Sequence, residues 1–244
     1  MRIIKVDAIG STNTFLRNLY REEGLKSSTC VVANEQTKGK GQMGTVWVSD
    51  AGKNLTFSVF LPIQNIELSK QFNISMAASL ALVSGLEELL VPKLAIKWPN
   101  DILSDRYKIC GILIENIVKN GRLEGVVLGV GLNVNQLHFE GLPQAASLKQ
   151  ITGKHYDLEE VLSILLAKVN NQFDSNEKLN GFCQLREDYE GFLFRKNKPS
   201  TFIDVKGDSF VGIINSVTPE GRLQLLLEDE IYKEFDLKEI KLLY

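Results

Sequence analysis

Lys97-Trp98-Pro99-Asn100-Asp101, followed after six intervening residues by Lys108-Ile109-Cys110-Gly111-Ile112-Leu113-Ile114-Glu115, sets an amide and a carboxylate in a turn that runs into a strand headed by lysine. Pro99 holds Trp98 in extended backbone and forces the turn. The apolar residues after Lys108 predict a strand over 108–118, and Arg122 to Val134 predicts its partner. Asn120-Gly121 between them is a favoured two-residue hairpin turn, because both residues tolerate positive φ. Val126 to Val134 is nearly all apolar, which predicts a strand buried on both faces.

Further strands are expected at Cys30–Ala33, at Asn54–Leu61, which Pro62 stops, and at Leu94–Ile96. Helices alternate with them. Ser11-Thr12-Asn13 precedes Phe15, Leu16 and Leu19 at helical spacing, and Gly24 follows, so a capped helix should end near Glu23. Phe72 to Leu90 reads as a long amphipathic or buried helix, and Leu158 to Phe173 as another with Asp157 as N-cap. Near Phe194 the pattern changes to four short strands, over 201–205, 210–217, 222–227 and 231–235, which suggests a small β-barrel or sheet.

The 244 residues suffice for one large and one small domain, and 28 Lys and Arg against 30 Asp and Glu leave no basic stripe to hold nucleic acid. Met1 to Asp7 lack the apolar core of a signal peptide, and no apolar run is long enough to span a bilayer. Cys30, Cys110 and Cys183 are scattered and form no CxxC, as expected in a reducing, cytoplasmic compartment. With His138 and His155 the only histidines, both read as surface or helix-end residues, chemistry must rest on Lys, Asp, Asn, Gln and backbone groups.

Gly39-Lys40-Gly41-Gln42-Met43-Gly44 places three glycines and a cation in one loop, either a phosphate cradle or a plain surface loop. It lacks the Lys that would complete a P-loop. Trp47 reads as core or as the wall of a pocket for a flat ring. Asn100 and Asp101 either cap the turn or supply an amide donor and a carboxylate able to hold Mg²⁺. Lys108 is either solvated or aimed into the cleft, where it would neutralise a substrate carboxylate and a developing phosphate charge. Gly111 marks a close backbone approach, by a ligand on this reading. Gly129-Val130-Gly131-Leu132-Asn133 lacks the third glycine of a dinucleotide fingerprint and reads as tight strand packing, with Asn133 anchoring a loop.

In their order and spacing these motifs resemble the biotin protein ligases, over nearly the whole chain. Ser11-Thr12-Asn13 is similar to the family's STN, and Gln36 with the glycine loop and Trp47 to its Q…GRGRRG…W. Lys97 to Asp101 resembles KWPND, Lys108 to Glu115 resembles K-x-x-GIL-x-E, and Gly129 to Val134 resembles GIGINV. The tail around Gly221-Arg222-Leu223 is similar to the family's SH3-like domain. The resemblance implies an α+β fold with a mixed, largely antiparallel sheet and flanking helices in a catalytic domain over 1–194, then a small SH3-like β-barrel over 195–244.

It further implies two steps: attack of biotin on the α-phosphate of ATP, then transfer of biotin from biotinyl-5′-AMP to a lysine of a biotin carboxyl carrier domain of acetyl-CoA carboxylase or a related carboxylase, with Mg²⁺. By position, Ser11, Thr12, Asn13, Gln36, Gly39, Lys40, Gly41, Gln42, Trp47, Lys108 and Gly111 would bind biotin. Lys40, Gln42, Met43, Gly44, Trp47, Asn100, Lys108 and Asn133 would bind the nucleotide. Lys108, Lys40 and Asp101 would be catalytic, with Asp101 also a metal ligand. The family's loop arginines are Lys40 and Gln42 here, which keeps one charge but loses the bidentate fork. With STN at Ser11 no room is left for an N-terminal DNA-binding module, so no DNA or membrane partner is expected. The protein would act as monomer or homodimer. Lipoate–protein ligases, which share fold and adenylate chemistry, are the nearest rival, and a biotin-binding module without catalysis is another.

Overall fold

The computed structural model describes residues 1–63, 66–120, 122–174, 179 and 181–244, with residues 68 and 229 described by their backbone alone. β1 (Arg2–Ile9) leads into α1 (Thr12–Glu23) and back into β2 (Thr29–Gln36), which pairs parallel with β1. The helix starts where Ser11, in extended backbone, accepts a hydrogen bond from the Thr14 N–H, and it stops at Gly24 at φ 64°. β3 (Leu55–Pro62) then lies antiparallel to β2. The buried α2 (Gln71–Glu88) leads to β4 (Leu94–Lys97), β5 (Asp101–Ser104), β6 (Tyr107–Lys119) and β7 (Arg122–Leu132).

These seven strands form one sheet in the order β1-β2-β3-β7-β6-β5-β4, antiparallel except at the β1–β2 pair. α3 (Leu148–Thr152), α4 (Leu158–Phe173) and α5 (Phe182–Gly191) follow. Asp157 caps α4 through the Glu160 N–H at 2.9 Å. The fold is thus the expected α+β arrangement with a largely antiparallel sheet.

The sheet is covered on both faces. Leu16 of α1 packs with Val31, Phe60 and Val127, whereas Val126, Leu128 and Val130 belong to the larger cluster under α2 and α4. Successive residues of β7 therefore serve two different cores, which is why that strand is apolar without alternation. α2 and α4 touch closely at Gly85, where a Cβ would stand 2.7 Å from Leu165.

β8 (Pro199–Asp204), β9 (Ser209–Val217), β10 (Leu223–Leu226), β11 (Tyr232–Phe235) and β12 (Ile240–Leu243) form a second, wholly antiparallel sheet in the order β11-β10-β9-β8-β12, consistent with an SH3-like barrel. The four-strand expectation missed β12, whose half-exposed alternation over four residues is too short to stand out. Two strands of the first sheet were also unforeseen. β1 lies at an edge and is mostly exposed, and β5 resumes immediately after the Trp98–Asn100 turn. In the β6–β7 hairpin Lys119 pairs with Arg122 and Asn120 has φ 52°, while Gly121 lies outside the described residues.

The two sheets are joined by specific bonds. Trp98 Nε1 donates to the Gly221 carbonyl at 2.9 Å, and Gly221 itself packs on Phe72 of α2. Glu190, at the end of α5, accepts from the Val217 N–H at 3.0 Å and from Lys196 Nζ at 2.6 Å.

Candidate active site

Between β6 and β7, the loop after β2 and the second sheet lies a cavity of about 670 Å³, within the range that binds drug-sized ligands. Its polar end is built from α1 and β2. Thr12 donates through its N–H to Gln36 Oε1 at 2.8 Å, and its hydroxyl lies 3.0 Å from the same oxygen. Ser58 of β3 stands 2.7 Å from Thr12 Oγ1 and 2.6 Å from Asn13 Oδ1. Ser11, Thr12 and Asn13 are all buried, so the start of one helix delivers three polar side chains to one point.

The middle of the cavity is an indole. Trp47 lies against β6 and β7 at Gly111 and Gly131, where added Cβ atoms would stand 2.8 and 2.3 Å from its ring. Trp47 makes a close approach at Gly111, which also lines the cavity.

The cationic end follows from β5 and β6. Lys108 Nζ lies 2.7 Å from Asp101 Oδ1 and 5.5 Å above the Trp47 ring, and Lys97 Nζ lies 3.7 Å from Asp101 Oδ2. Burial lowers the Lys97 pKa, opposed by the attraction of Asp101 and reinforced by Lys108. Tyr244 closes this end from the second sheet, with Lys97 Nζ 5.1 Å from its ring centroid. Burial, and then the Asp101 charge, push its phenol up to about 12.

The glycine loop is closed on itself. Gly41 N–H donates to Thr45, Thr45 N–H to Gln42 and Trp47 N–H to Gly39, so these donors are spent inside the loop. Lys40 reaches Thr14 Oγ1 at 3.1 Å, tying the loop to α1. Lys40, Gly41, Gln42 and Met43 line the cavity. Gly39 and Gly44 do not: Gly39 sits behind Trp47, whose carbonyl an added Cβ would meet at 2.3 Å, and Gly44 serves a turn at φ 84°.

Asn100 and Asn133 both reach the cavity, yet their amides are committed to the fold. Asn100 Nδ2 donates to the Ile112 carbonyl at 2.6 Å and Asn133 Nδ2 to that of Ala146 at 3.2 Å. Asp101 is held between two ammonium groups, and among the described residues no cluster of three His, Cys, Asp or Glu side chains converges. Such a donor set suits an ion-paired carboxylate rather than a resident metal ion.

Sequence reasoning passed over Lys97, Glu115, Gly131 and Tyr244 as site residues. The first three stand inside the quoted motifs, where their spacing was the available signal. Nothing local marks Tyr244, which arrives from the far end of the chain.

A family model described as Biotin/lipoate A/B protein ligase family matches residues 6–133. The chain is 30% identical over 236 residues to the bifunctional ligase/repressor BirA of Bacillus spizizenii, covering 95% of this chain and 71% of that protein. It is 30% identical over 223 residues to the biotin--[acetyl-CoA-carboxylase] ligase of Mycobacterium tuberculosis, covering 88% and 80%. Its fold is similar to that of the Aquifex aeolicus biotin protein ligase in complex with biotin and ATP, with a TM-score of 0.79 at 25% identity over 99% of this chain and 98% of the other.

Proposed function

The chain belongs to the biotin/lipoate A/B protein ligase family, and we propose that its cavity carries out both halves of a biotin–protein ligase reaction. Biotin and ATP are its substrates. Biotinyl-5′-AMP is its intermediate, and biotin ends as an amide on a carrier lysine. The observation that carries this reading is the polarity of the cavity: an uncharged hydrogen-bonding end at Thr12 and Gln36, an indole wall, and a cationic end at Lys108 and Lys97. A ligand with a polar ring, an apolar body and a carboxylate fits it in one direction only.

In the first step an oxygen of the biotin carboxylate bonds to the α-phosphorus while the bond to the β-phosphate breaks and pyrophosphate leaves. A carboxylate is ionised at pH 7 and needs no base, so the barrier is the approach of two anions. Lys108, fixed by Asp101, supports this step by neutralising both, and Lys40 and Gln42 close over them from the loop. Mg²⁺ enters as the counter-ion of ATP and thus as part of the substrate.

In the second step the acceptor amine attacks the acyl carbon, AMP leaves and the amine loses a proton. Asp101 Oδ2, 3.7 Å from Lys97 Nζ and so more loosely held than Oδ1, is the oxygen assigned to assist that proton. The acceptor is a biotin carboxyl carrier domain of acetyl-CoA carboxylase or a related carboxylase, the site of action is cytoplasmic, and the domains divide at residues 194 and 195. Among the described residues no helix is long and apolar enough to cross a membrane.

Pyrophosphate release from Mg-ATP tests the reading. Wild type should release it only with biotin, and Lys108→Ala should abolish that release. Release with lipoate and not with biotin would assign the protein to the lipoate branch, and release with neither would leave a binding module.

A further inference from the structure

Glu115, on β6, is a carboxylate that the reaction above does not use, yet it reaches the polar end of the cavity through one intermediary. Its Oε2 accepts from Asn13 Nδ2 at 2.8 Å and its Oε1 from Arg17 at 2.6 Å. The chain of contacts continues from Asn13 Oδ1 to Ser58 at 2.6 Å, from Ser58 to Thr12 Oγ1 at 2.7 Å, and from Thr12 to Gln36. Gly129 leaves the space for it: a Cβ there would stand 2.2 Å from Asn13 Oδ1.

Proton counting along this chain gives it a direction. A carboxylate only accepts, so Asn13 must turn its NH₂ toward Glu115 and its carbonyl toward Ser58. Ser58 then spends its one proton on Asn13 Oδ1. The Thr12 proton then has two oxygens within reach, Ser58 Oγ at 2.7 Å and Gln36 Oε1 at 3.0 Å, and the shorter contact takes the larger share of it. Gln36 Oε1 is already satisfied by the Thr12 N–H, which leaves Gln36 Nε2 as donor and the Thr12 oxygen as acceptor at the cavity wall. A ligand offering a carbonyl next to an N–H meets a matching pair.

Taking this end of the cavity as the seat of biotin's ureido ring, we propose that Glu115 is a positioning residue that sets the donor–acceptor direction of that seat through Asn13 and Ser58. It touches no substrate. Arg17 makes the arrangement sensitive to a single atom. In Glu115→Gln, Arg17 still demands an acceptor, so the new amide keeps its oxygen there and turns its NH₂ to Asn13. Asn13 then flips, giving up the 3.4 Å contact of its NH₂ with the Leu113 carbonyl, Ser58 gives its proton to Thr12, and the Thr12 hydroxyl turns its own proton toward Gln36 and the ligand, where wild type presents an acceptor.

The test is steady-state pyrophosphate release with biotin and Mg-ATP. Glu115→Gln should raise the KM for biotin about tenfold and leave the KM for ATP within about twofold. Asn13→Asp alone sets two carboxylates face to face and should impair biotin use. Combined with Glu115→Gln it should recover the biotin KM to within about threefold of wild type, because an aspartate accepts both from the new amide at position 115 and from Ser58. A merely structural role predicts the double variant to be worse than either single one. An unchanged biotin KM in Glu115→Gln, or no recovery in the pair, overturns the proposal. Should Glu115→Gln fail to fold, Ser58→Ala cuts the same chain without touching the ion pair, and an unchanged biotin KM there also overturns it. Wild type that releases no pyrophosphate with biotin overturns the ligase reading and the role built on it.

Discussion

Gly111 and Gly131 stand opposite each other on β6 and β7, and the Trp47 ring lies over both. Two neighbouring strands each lack a side chain at the same height, and one indole fills the space. The wall of the cavity is thus set by two absent Cβ atoms as much as by the tryptophan.

Gly131→Ala puts a methyl group 2.3 Å from Trp47 Cε2, so the ring must leave its place. Adenylate formation should fall by about tenfold to a hundredfold. Tryptophan emission should shift to the red while far-ultraviolet circular dichroism stays unchanged. Full activity with unaltered emission would show that the ring is not held there.

Asp101 lies between Lys108 and Lys97 at the end of the cavity where the acceptor amine would arrive. A free lysine amine has a pKa of ~10.4 and is scarce at pH 7, so the second step gains more from a nearby carboxylate than the first. Asp101→Asn should slow transfer to a carrier domain at least tenfold more than pyrophosphate release. Single-turnover transfer from preformed adenylate measures the one, and biotin-dependent pyrophosphate release the other. Equal loss in both steps would assign Asp101 to holding Lys108 alone.

Glu190 is buried and carries the junction between the sheets, accepting from Val217 N–H and Lys196. Removing Glu190 leaves the buried Val217 N–H without an acceptor and the part-buried Lys196 without its counter-charge. Glu190→Ala should cost about 2 kcal/mol in a urea titration. A loss below about 1 kcal/mol, as for an exposed pair, would contradict this.

Cys30 is fully buried, and burial raises its thiol pKa from 9.0 to about 12. Below pH 9 the thiol is protonated in both folded and unfolded chains and contributes no pH dependence. Above it the unfolded chain gives up a proton that the folded chain keeps. Stability is therefore lost as pH rises from 9 toward 12, by up to about 1.4 kcal/mol per pH unit for this group. Denaturation midpoints between pH 8 and pH 11 should fall more steeply in wild type than in Cys30→Ala. At pH 8 a thiol reagent should modify only the exposed Cys183 of the folded protein, because Cys30 and Cys110 are buried.

Much of the local structure was readable because its causes are local. Ser11 and Gly24 bound α1 through a side-chain acceptor and a left-handed residue, and Asp157 starts α4 in the same way. The apolar run of β7 reported burial on two faces, since Val127 packs with Leu16 of α1 and Val126 belongs to the opposite cluster that α2 and α4 help to build. β1 and β12 escaped because exposed or half-exposed edge strands have little apolar pattern, and what holds them is pairing with strands distant in the chain. β5 escaped because it is only four residues long, although it is mostly buried and pairs with its chain neighbours β4 and β6.

The site divides along the same line. Sequence alone determined which residue types stand near one another along the chain: Ser11-Thr12-Asn13, the loop lysine, Lys108 with its glycine three residues on. It also determined their order, from which the family resemblance followed. Only the tertiary structure decided which side chains are engaged and by what. It placed Asp101 between two lysines, closed the glycine loop on its own carbonyls, joined Glu115 to Asn13 across 102 residues and brought Tyr244 over Lys97. The reason is physical. Caps and turns depend on backbone torsions a few residues apart, whereas the direction of a hydrogen bond or the partner of a charge depends on groups that meet only when the sheets have paired and packed.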